Sequence, residues 1–162
     1  MKSLVTGGAG FIGSNLVDQL LSIGHEVVCI DNEFSDIHDH FYWNAKADNH
    51  LLDIRDYENT RPLYEEVDFV FHIAAEARIQ PSILNPVETV SINSVGTCTV
   101  LQCARDAGVR RVMYSSTSSG YGMNDYPNVE TQPDDCLNPY SVSKVNGEKL
   151  CAMYTNLFDV PT

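Results

Sequence analysis

Several features are scarce or missing in this 162-residue chain, and each absence argues against a class of protein. No apolar run approaches the roughly 20 residues that a membrane-spanning helix needs, so we expect no membrane association. Only 10 Lys and Arg stand against 22 Asp and Glu, which gives a formal net charge of -12. A surface this acidic repels a phosphate backbone, so we expect no nucleic-acid partner. The opening MKSLVTGGAGFIG lacks the pattern of a signal peptide, because glycines interrupt its short apolar run.

Paired cysteines and clustered metal ligands are also missing. The five cysteines are scattered and form no Cys-x-x-Cys pair, which favours reduced, mostly buried thiols in a cytoplasmic protein. The segment SDIHDH contains His38 and His40, but no further segment offers matching ligands. A solvated turn is the favoured interpretation, and we expect no metal site.

The hydrophobic pattern predicts one α/β domain over residues 1–162. Apolar runs predict strands, and helical spacing with glycine or proline stops predicts helices between them. The strands are predicted at 2–6, 26–31, 50–54, 68–75 and 110–116, and the later helices at 56–66, 86–108 and 140–157. This order is typical of a Rossmann-type, doubly wound, mostly parallel sheet of about five strands. His72 lies in the second half of the predicted fourth strand, where we expect it to satisfy a hydrogen bond in the core.

A glycine-rich loop follows the first strand and opens the first helix. Gly8, Gly10 and Gly13 have the spacing G-x-G-x-x-G, and Asp31 ends the next strand 18 positions later. Glycines let a backbone approach a pyrophosphate, and the helix N-terminus supplies N–H donors. Asp31 would accept hydrogen bonds from ribose hydroxyls and repel a 2′-phosphate, which favours NAD over NADP. The alternative is a glycine turn that only packs a helix on a strand.

A hydroxyl-rich loop, YSSTSSGYG at 114–122, follows the fifth strand. Parallel strands end at the same edge of a sheet, so we expect this loop to lie near the glycine loop. Tyr140 and Lys144 stand four residues apart and therefore share a helix face. A lysine ammonium lowers the pKa of a neighbouring phenol from its free value of about 10. These groups could form a proton relay beside a hydride acceptor.

Together these motifs resemble those of the extended short-chain dehydrogenase/reductases, and most closely the NAD-dependent nucleotide-sugar epimerases and dehydratases. The resemblance covers essentially all 162 residues. It rests on the motifs TGGAGFIGS, VVCIDN, LLDIRD, HIAAEARIQPS, NSVGT, YSSTSSGYG and NPYSVSK.

The resemblance implies site residues by position. Thr117 matches the family's catalytic hydroxyl, Tyr140 its base, and Lys144 the partner of that base, which also binds the nicotinamide ribose. Asn93 matches a helix residue that supports the site, and Ser115 helps to shape the strand end. The remaining implied cofactor contacts are Gly7, Gly10, Phe11, Ile12 and Gly13 for the pyrophosphate, Asp31 and Asn32 for the ribose, Asp53 and Ile54 for adenine, and Ala74 and Ala75 beside nicotinamide.

The resemblance also implies a reaction. Related dehydratases carry Asp-Glu immediately after the catalytic hydroxyl, whereas this chain carries Ser118 and Ser119. We therefore expect UDP-hexose 4-epimerase-like chemistry through transient oxidation at C4. A dehydratase, or a reductase of the same fold, is the alternative.

Family members continue for about as many residues again, so we expect this chain to lack the C-terminal substrate domain. It could be a fragment, one half of a split enzyme with a complementing chain, or an NAD-binding module without turnover. Binding of a UDP-sugar or another nucleotide sugar would then be incomplete. We also expect the fifth strand to be an unprotected edge. Helices matching 86–107 and 140–157 commonly form a homodimer interface in the family.

Overall fold

The computed structural model describes residues 1–35 and 40–162, and a five-stranded parallel sheet lies at its centre. The strands follow the spatial order β3-β2-β1-β4-β5, and every pairing is parallel. This confirms the predicted Rossmann-type sheet. The strands are β1 Lys2–Thr6, β2 Glu26–Asp31, β3 Asp48–Leu51, β4 Phe69–His72 and β5 Arg111–Tyr114. Of the SDIHDH segment, residues 36–39 lie outside the described residues, and His40 is exposed.

Six α-helices are present in the described part of the chain. They are α1 Phe11–Ser22, α2 Tyr57–Thr60, α3 Ile79–Leu84, α4 Pro86–Val90, α5 Gly96–Ala107 and α6 Pro139–Phe158. A π-helical turn at Ser91–Val95 joins α4 to α5, and 3₁₀ turns lie at Arg61–Tyr64 and Ser118–Tyr121. None of the helices described combines the length and the apolar character needed to cross a bilayer.

Several predicted boundaries were wrong. The third strand begins two residues earlier than predicted and ends at Leu51, so Asp53 lies in the turn that follows it. The helix expected at 86–108 is interrupted by the π turn, and the helix expected at 56–66 becomes 3₁₀ after Thr60. The segment Ile79–Leu84, for which neither a strand nor a helix is predicted above, is helical. Short segments were the least predictable because tertiary packing overrides their weak local preferences.

Alternate residues of β1 divide the core into two layers. Leu4 packs with Val100 and Leu101 of α5 on one face of the sheet. Val5 packs with Val17 and Leu20 of α1 on the other. Because both faces are covered by helices, a continuous apolar strand is the pattern that the sheet requires.

The edge of β5 is partly paired. The Val112 N–H donates to the Pro161 carbonyl oxygen at 2.9 Å, and Val160 beside it is buried. The expectation that this strand has an unprotected edge is therefore wrong at Val112.

His72 lies at the carboxyl end of β4 and is 1% exposed. Its Nδ1 lies 2.7 Å from the Thr6 hydroxyl, and its Nε2 lies 2.9 Å from the Thr97 hydroxyl. The Thr97 hydroxyl already donates to the Asn93 carbonyl, so it must accept from Nε2–H. Nδ1 then accepts from Thr6. Both ring nitrogens of a neutral imidazole are satisfied, which confirms the expected core hydrogen bond.

Burial, reinforced by the Lys144 charge, lowers the pKa of His72 from about 6.5 to about 3. Between these values the unfolded chain binds a proton that the folded chain does not, so stability rises with pH across this window. We predict that His72 alone makes the free energy of unfolding fall by about 2 kcal/mol from pH 7 to pH 5. Urea denaturation at both pH values measures it.

His72→Gln should show a smaller decrease between pH 7 and pH 5 than the wild type, and the exposed His40→Gln should match the wild type. Equal pH dependence in the wild type and His72→Gln would contradict the assignment.

Candidate active site

The turn after β1 brings two strand ends together at Gly7. The Gly7 N–H donates to the Ile30 carbonyl at 2.7 Å, and its φ is +70°, a conformation that favours glycine. A Cβ atom here would lie only 2.7 Å from the backbone nitrogen of Ala74. The glycine loop and the turn after β4 therefore pack backbone to backbone. Helix α1 then begins with Gly10 as its N-cap, and no side chain caps it.

A cleft of about 280 Å³ opens at this carboxyl edge of the sheet. Of the fifteen cofactor residues that the resemblance implies, eleven line it. They are Gly7, Gly10, Phe11, Ile12, Gly13, Asp31, Asn32, Asp53, Ile54, Ala74 and Ala75. The other four, Asn93, Ser115, Tyr140 and Lys144, are not among the residues that line it.

Asp31 connects β2 to the glycine loop. One carboxylate oxygen accepts from the Ala9 N–H at 3.0 Å, and the other accepts from the Glu33 N–H at 2.8 Å. These bonds fix the carboxylate at the cleft wall. A carboxylate has further lone pairs, so it can still accept from ligand hydroxyls.

Asp53 is held at the cleft by Arg55. The Arg55 guanidinium donates to both Asp53 oxygens, at 3.0 and 2.6 Å, and also reaches Glu88 at 2.9 Å. The Asn32 amide donates to Asp53 at 3.2 Å. Hydrogen bonds from Arg55 are the main cause that lowers the pKa of Asp53. The turn after β3 is thereby tied to α4.

Tyr140 lies in the first turn of α6, where backbone N–H groups have no partner within the helix. Asn138 caps this helix together with Ser141. The Tyr140 N–H donates instead to the hydroxyl of Ser82 on α3 at 3.2 Å, and that hydroxyl donates to the Ile79 carbonyl at 2.6 Å. Ser82 is fully buried. It therefore fixes the backbone that carries the phenol.

Asn93 links the π turn to α6 and to the segment after β4. Its amide nitrogen donates to the Ser143 hydroxyl at 2.9 Å and to the Glu76 carbonyl at 3.0 Å. Its amide oxygen accepts from the Glu76 N–H at 2.8 Å, and Ser143 donates to the Tyr140 carbonyl at 2.7 Å. Both N–H donors and the oxygen of the Asn93 amide are therefore hydrogen-bonded. Through Ser143, Asn93 is connected to the backbone of Tyr140.

Lys144 is 3% exposed. Burial lowers the pKa of its ammonium to about 8, against the opposing influence of Cys151 and Glu148. Its Nζ lies 4.4 Å from the centre of the Tyr114 ring. A lysine with this pKa is mostly charged at neutral pH but close to titration.

The hydroxyl loop contacts α6 at two places. The Ser116 hydroxyl hydrogen-bonds the Glu148 carboxylate, and Gly120 packs against Val145. The Thr117 hydroxyl accepts from the Ser119 N–H at 3.1 Å, which leaves its own proton free to be donated elsewhere. Ser115 is exposed, and its N–H donates to the His72 carbonyl at 3.2 Å. The loop thus brings Thr117 to the helix that carries Tyr140 and Lys144.

Sequence reasoning missed Ser82 and Tyr114 as site residues. Ser82 carries no signal of its own, because its partner lies 58 positions away. Tyr114 ends β5 and is the first residue of the hydroxyl-rich segment 114–122, and that position was the only available signal. Among the described residues, no group of three or more His, Cys, Asp or Glu side chains is placed to hold a metal ion.

Comparisons with known proteins agree with this architecture. A family model described as "NAD dependent epimerase/dehydratase family" matches residues 3–162. The UDP-glucose 4-epimerase of Mycolicibacterium smegmatis is 39% identical over 166 aligned residues, which cover 99% of this chain and 53% of that protein. The chain spans about half the length of the curated relatives it matches first.

Solved structures give the same result. The UDP-glucose 4-epimerase of Thermotoga maritima, crystallised with UDP-glucose, superposes with a TM-score of 0.93 at 31% identity. The UDP-glucose 4-epimerase of Thermus thermophilus, crystallised with NAD, gives 0.89 at 32% identity. This chain is covered to 99% in both cases, and those chains are covered to 53% and 52%.

We predict that Ser82→Ala lowers the free energy of unfolding by about 1–2 kcal/mol, because it leaves the part-buried Tyr140 N–H without its acceptor. Urea denaturation measures the change. Ser22→Ala is the matched control, since that hydroxyl donates to the Gln19 carbonyl at the exposed end of α1. A loss no greater than that of Ser22→Ala would show that Ser82 does not hold α6.

Proposed function

The chain belongs to the NAD-dependent epimerase/dehydratase family, and from this premise we propose that it acts in the epimerisation of a nucleotide sugar. The proposed reaction is that of a UDP-hexose 4-epimerase, with transient oxidation at C4. NAD is the cofactor of the family. The observation that supports the proposal most is the juxtaposition at one sheet edge of the glycine-loop cleft and the loop that carries Thr117 to α6.

The residues of the cleft fit NAD. The backbone approach at Gly7 and the open N-terminus of α1 suit a pyrophosphate. The fixed carboxylate of Asp31 suits a ribose with free hydroxyls and disfavours a 2′-phosphate. Ile54 and Asp53 would border the adenine, and Ala74 and Ala75 the nicotinamide side.

Bound NAD supplies a hydride acceptor and, once reduced, a hydride donor. Tyr140 would take the proton of the sugar 4-hydroxyl as general base and return it later as general acid. Lys144 would favour the phenolate through its charge and bind the nicotinamide ribose. Thr117 would donate its free hydroxyl proton to the same sugar oxygen and so orient it.

Epimerisation is preferred over elimination because of Ser118 and Ser119. A dehydratase needs a second acid and base beside the reacting sugar carbon, and neither serine hydroxyl can act as a carboxylate does. Dehydration, or reduction by an enzyme of the same fold, is the second candidate.

Because the chain spans about half of its relatives' length, its activity alone is a separate question. We propose that residues 1–162 form one NAD-binding domain. It would complete its substrate site with further residues or with a complementing chain. A module that binds NAD without turnover is the alternative. All five cysteines are unpaired, which favours a reducing compartment, and we propose the cytoplasm.

We also propose that the chain forms a homodimer through helices α3 to α6. Large apolar side chains are exposed there, including Leu84 at 83% and Val87 at 79%. Val87→Asp should shift the chain from dimer to monomer in sedimentation experiments, whereas Met123→Asp, in a loop, should not. A wild-type chain that sediments as a monomer would contradict the proposal.

We predict that this chain binds NAD in calorimetric titration and binds NADP at least tenfold more weakly, since Asp31 repels a 2′-phosphate. Asp31→Asn should reduce the difference between the affinities for NAD and NADP. Asp18→Asn, on α1, is the matched control and should leave both affinities unchanged. A folded chain that binds neither cofactor would contradict the NAD site.

Titration with UDP-galactose then separates the two forms of the proposal. Binding, followed by conversion to UDP-glucose, would show that the short chain builds its own sugar site. NAD binding without UDP-sugar binding would instead support the module that lacks its substrate half.

A further inference from the structure

We propose that Tyr114 is a positioning residue for Lys144, with its ring face stabilising the buried ammonium and its hydroxyl anchoring the lysine backbone. The proposal rests on the proposed function, because it gives Lys144 a part in catalysis. No feature of the sequence motifs assigns such a part to Tyr114.

Tyr114 contacts both ends of Lys144. The ammonium nitrogen lies 4.4 Å from the ring centre, well within the roughly 6 Å range of a cation–π interaction. The Tyr114 hydroxyl donates to the Lys144 carbonyl oxygen at 3.1 Å. The Tyr114 side chain therefore contacts both the main-chain carbonyl and the side-chain ammonium of Lys144.

Helix α6 leaves room for this tyrosine at Gly147. A Cβ atom at this position would meet the Tyr114 hydroxyl oxygen and would lie 2.5 Å from the ring carbon Cζ. Glycine lowers helix stability by roughly 1 kcal/mol relative to alanine. Its place in the middle of a 20-residue helix is explained by the close approach of the ring.

The sheet supports the ring from the other side. Tyr114 is paired in register with His72, and the two ring centres lie 5.6 Å apart. His72 is itself held between Thr6 and Thr97. The ring that contacts the Lys144 ammonium is thus packed against a histidine whose two ring nitrogens are both hydrogen-bonded.

The ring matters because Lys144 has little other support for its charge. No ion pair with a carboxylate is recorded for Lys144 within residues 1–35 and 40–162. The titratable groups around it are His72 on β4, Tyr114 on β5, and Tyr140, Glu148 and Cys151 on α6. Glu148 is engaged by Ser116, and His72 is neutral. Glu148 and Cys151 also favour the ammonium, and the electron-rich face of the Tyr114 ring, 4.4 Å away, adds a direct contact that does the same.

Substitution at Tyr114 separates the ring from the hydroxyl. Tyr114→Leu keeps an apolar side chain but removes the ring face, so the pKa of Lys144 should fall by about one unit. Tyr114→Phe keeps the ring face, so the pKa should stay at the wild-type value. The pKa is measured by an NMR pH titration of the chain labelled with ¹³C-lysine, which gives few signals because the chain has four lysines. The signal that disappears in Lys144→Met is that of Lys144.

A second variant guards against a failure of Tyr114→Leu to fold. Gly147→Ala pushes the ring aside and should also lower the pKa of Lys144. Tyr126→Leu, at an exposed loop position, is the matched control and should leave the pKa of Lys144 at its wild-type value. Amide spectra establish that each variant is folded.

The outcomes are decisive without any cofactor or substrate. An unchanged or raised pKa of Lys144 in folded Tyr114→Leu or Gly147→Ala overturns the positioning role. A fall in Tyr114→Phe as large as in Tyr114→Leu overturns the part given to the ring face, because it assigns the effect to the hydroxyl. Failure of the wild-type chain to bind NAD would count against the proposed function only, because the NMR titration uses the chain without ligands.

Discussion

The parallel register of β1, β4 and β5 is the constraint on which the rest of the structure depends. It places Thr6, His72 and Tyr114 side by side as the last residues of their strands. The next residue of each chain segment begins a loop: the glycine loop, the turn to Ala74, and the hydroxyl loop. One row of paired backbones therefore sets the starting point of three site segments at once, which is a general property of parallel sheets.

Polar groups are buried in and beside this row, and their hydrogen bonds fix the positions of the residues that carry them. In the row, His72 bonds two threonines, and beside it Asn93 of the π turn bonds Glu76 and Ser143. An unsatisfied member would cost about 1–3 kcal/mol, so the arrangement resists small displacements. The same low-polarity surroundings bring the pKa of Lys144 close to neutral pH. Burial is thus the common cause of the need for these hydrogen bonds and of the lowered pKa of Lys144.

Helix α6 is where the separate segments meet. Its first turn is held by Ser82 from α3, its middle by Tyr114 from β5, and its outer face by Ser116 from the hydroxyl loop. Of two neighbouring residues of this helix, Glu148 binds Ser116 of the hydroxyl loop, and Gly147 leaves the space that the Tyr114 ring occupies. The first two turns of α6, with Tyr140 and Lys144, are in this way fixed by elements that are distant in sequence.

The amino-acid sequence by itself determined the α/β order, the parallel sheet, the glycine turn and the placing of Tyr140 and Lys144 on one helix face. These follow from local patterns: continuous apolar strands, glycine where a backbone must turn, and helical spacing. Thr117 became a candidate through the family resemblance. The place of β3, the π turn and helix α3 did not follow, because short segments take their shape from what packs on them. Only the tertiary structure decided that Ser82 accepts the Tyr140 N–H in the first turn of α6 and that the Tyr114 ring contacts the Lys144 ammonium. Each of those contacts joins residues at least 30 positions apart, and no local pattern records a partner at that distance.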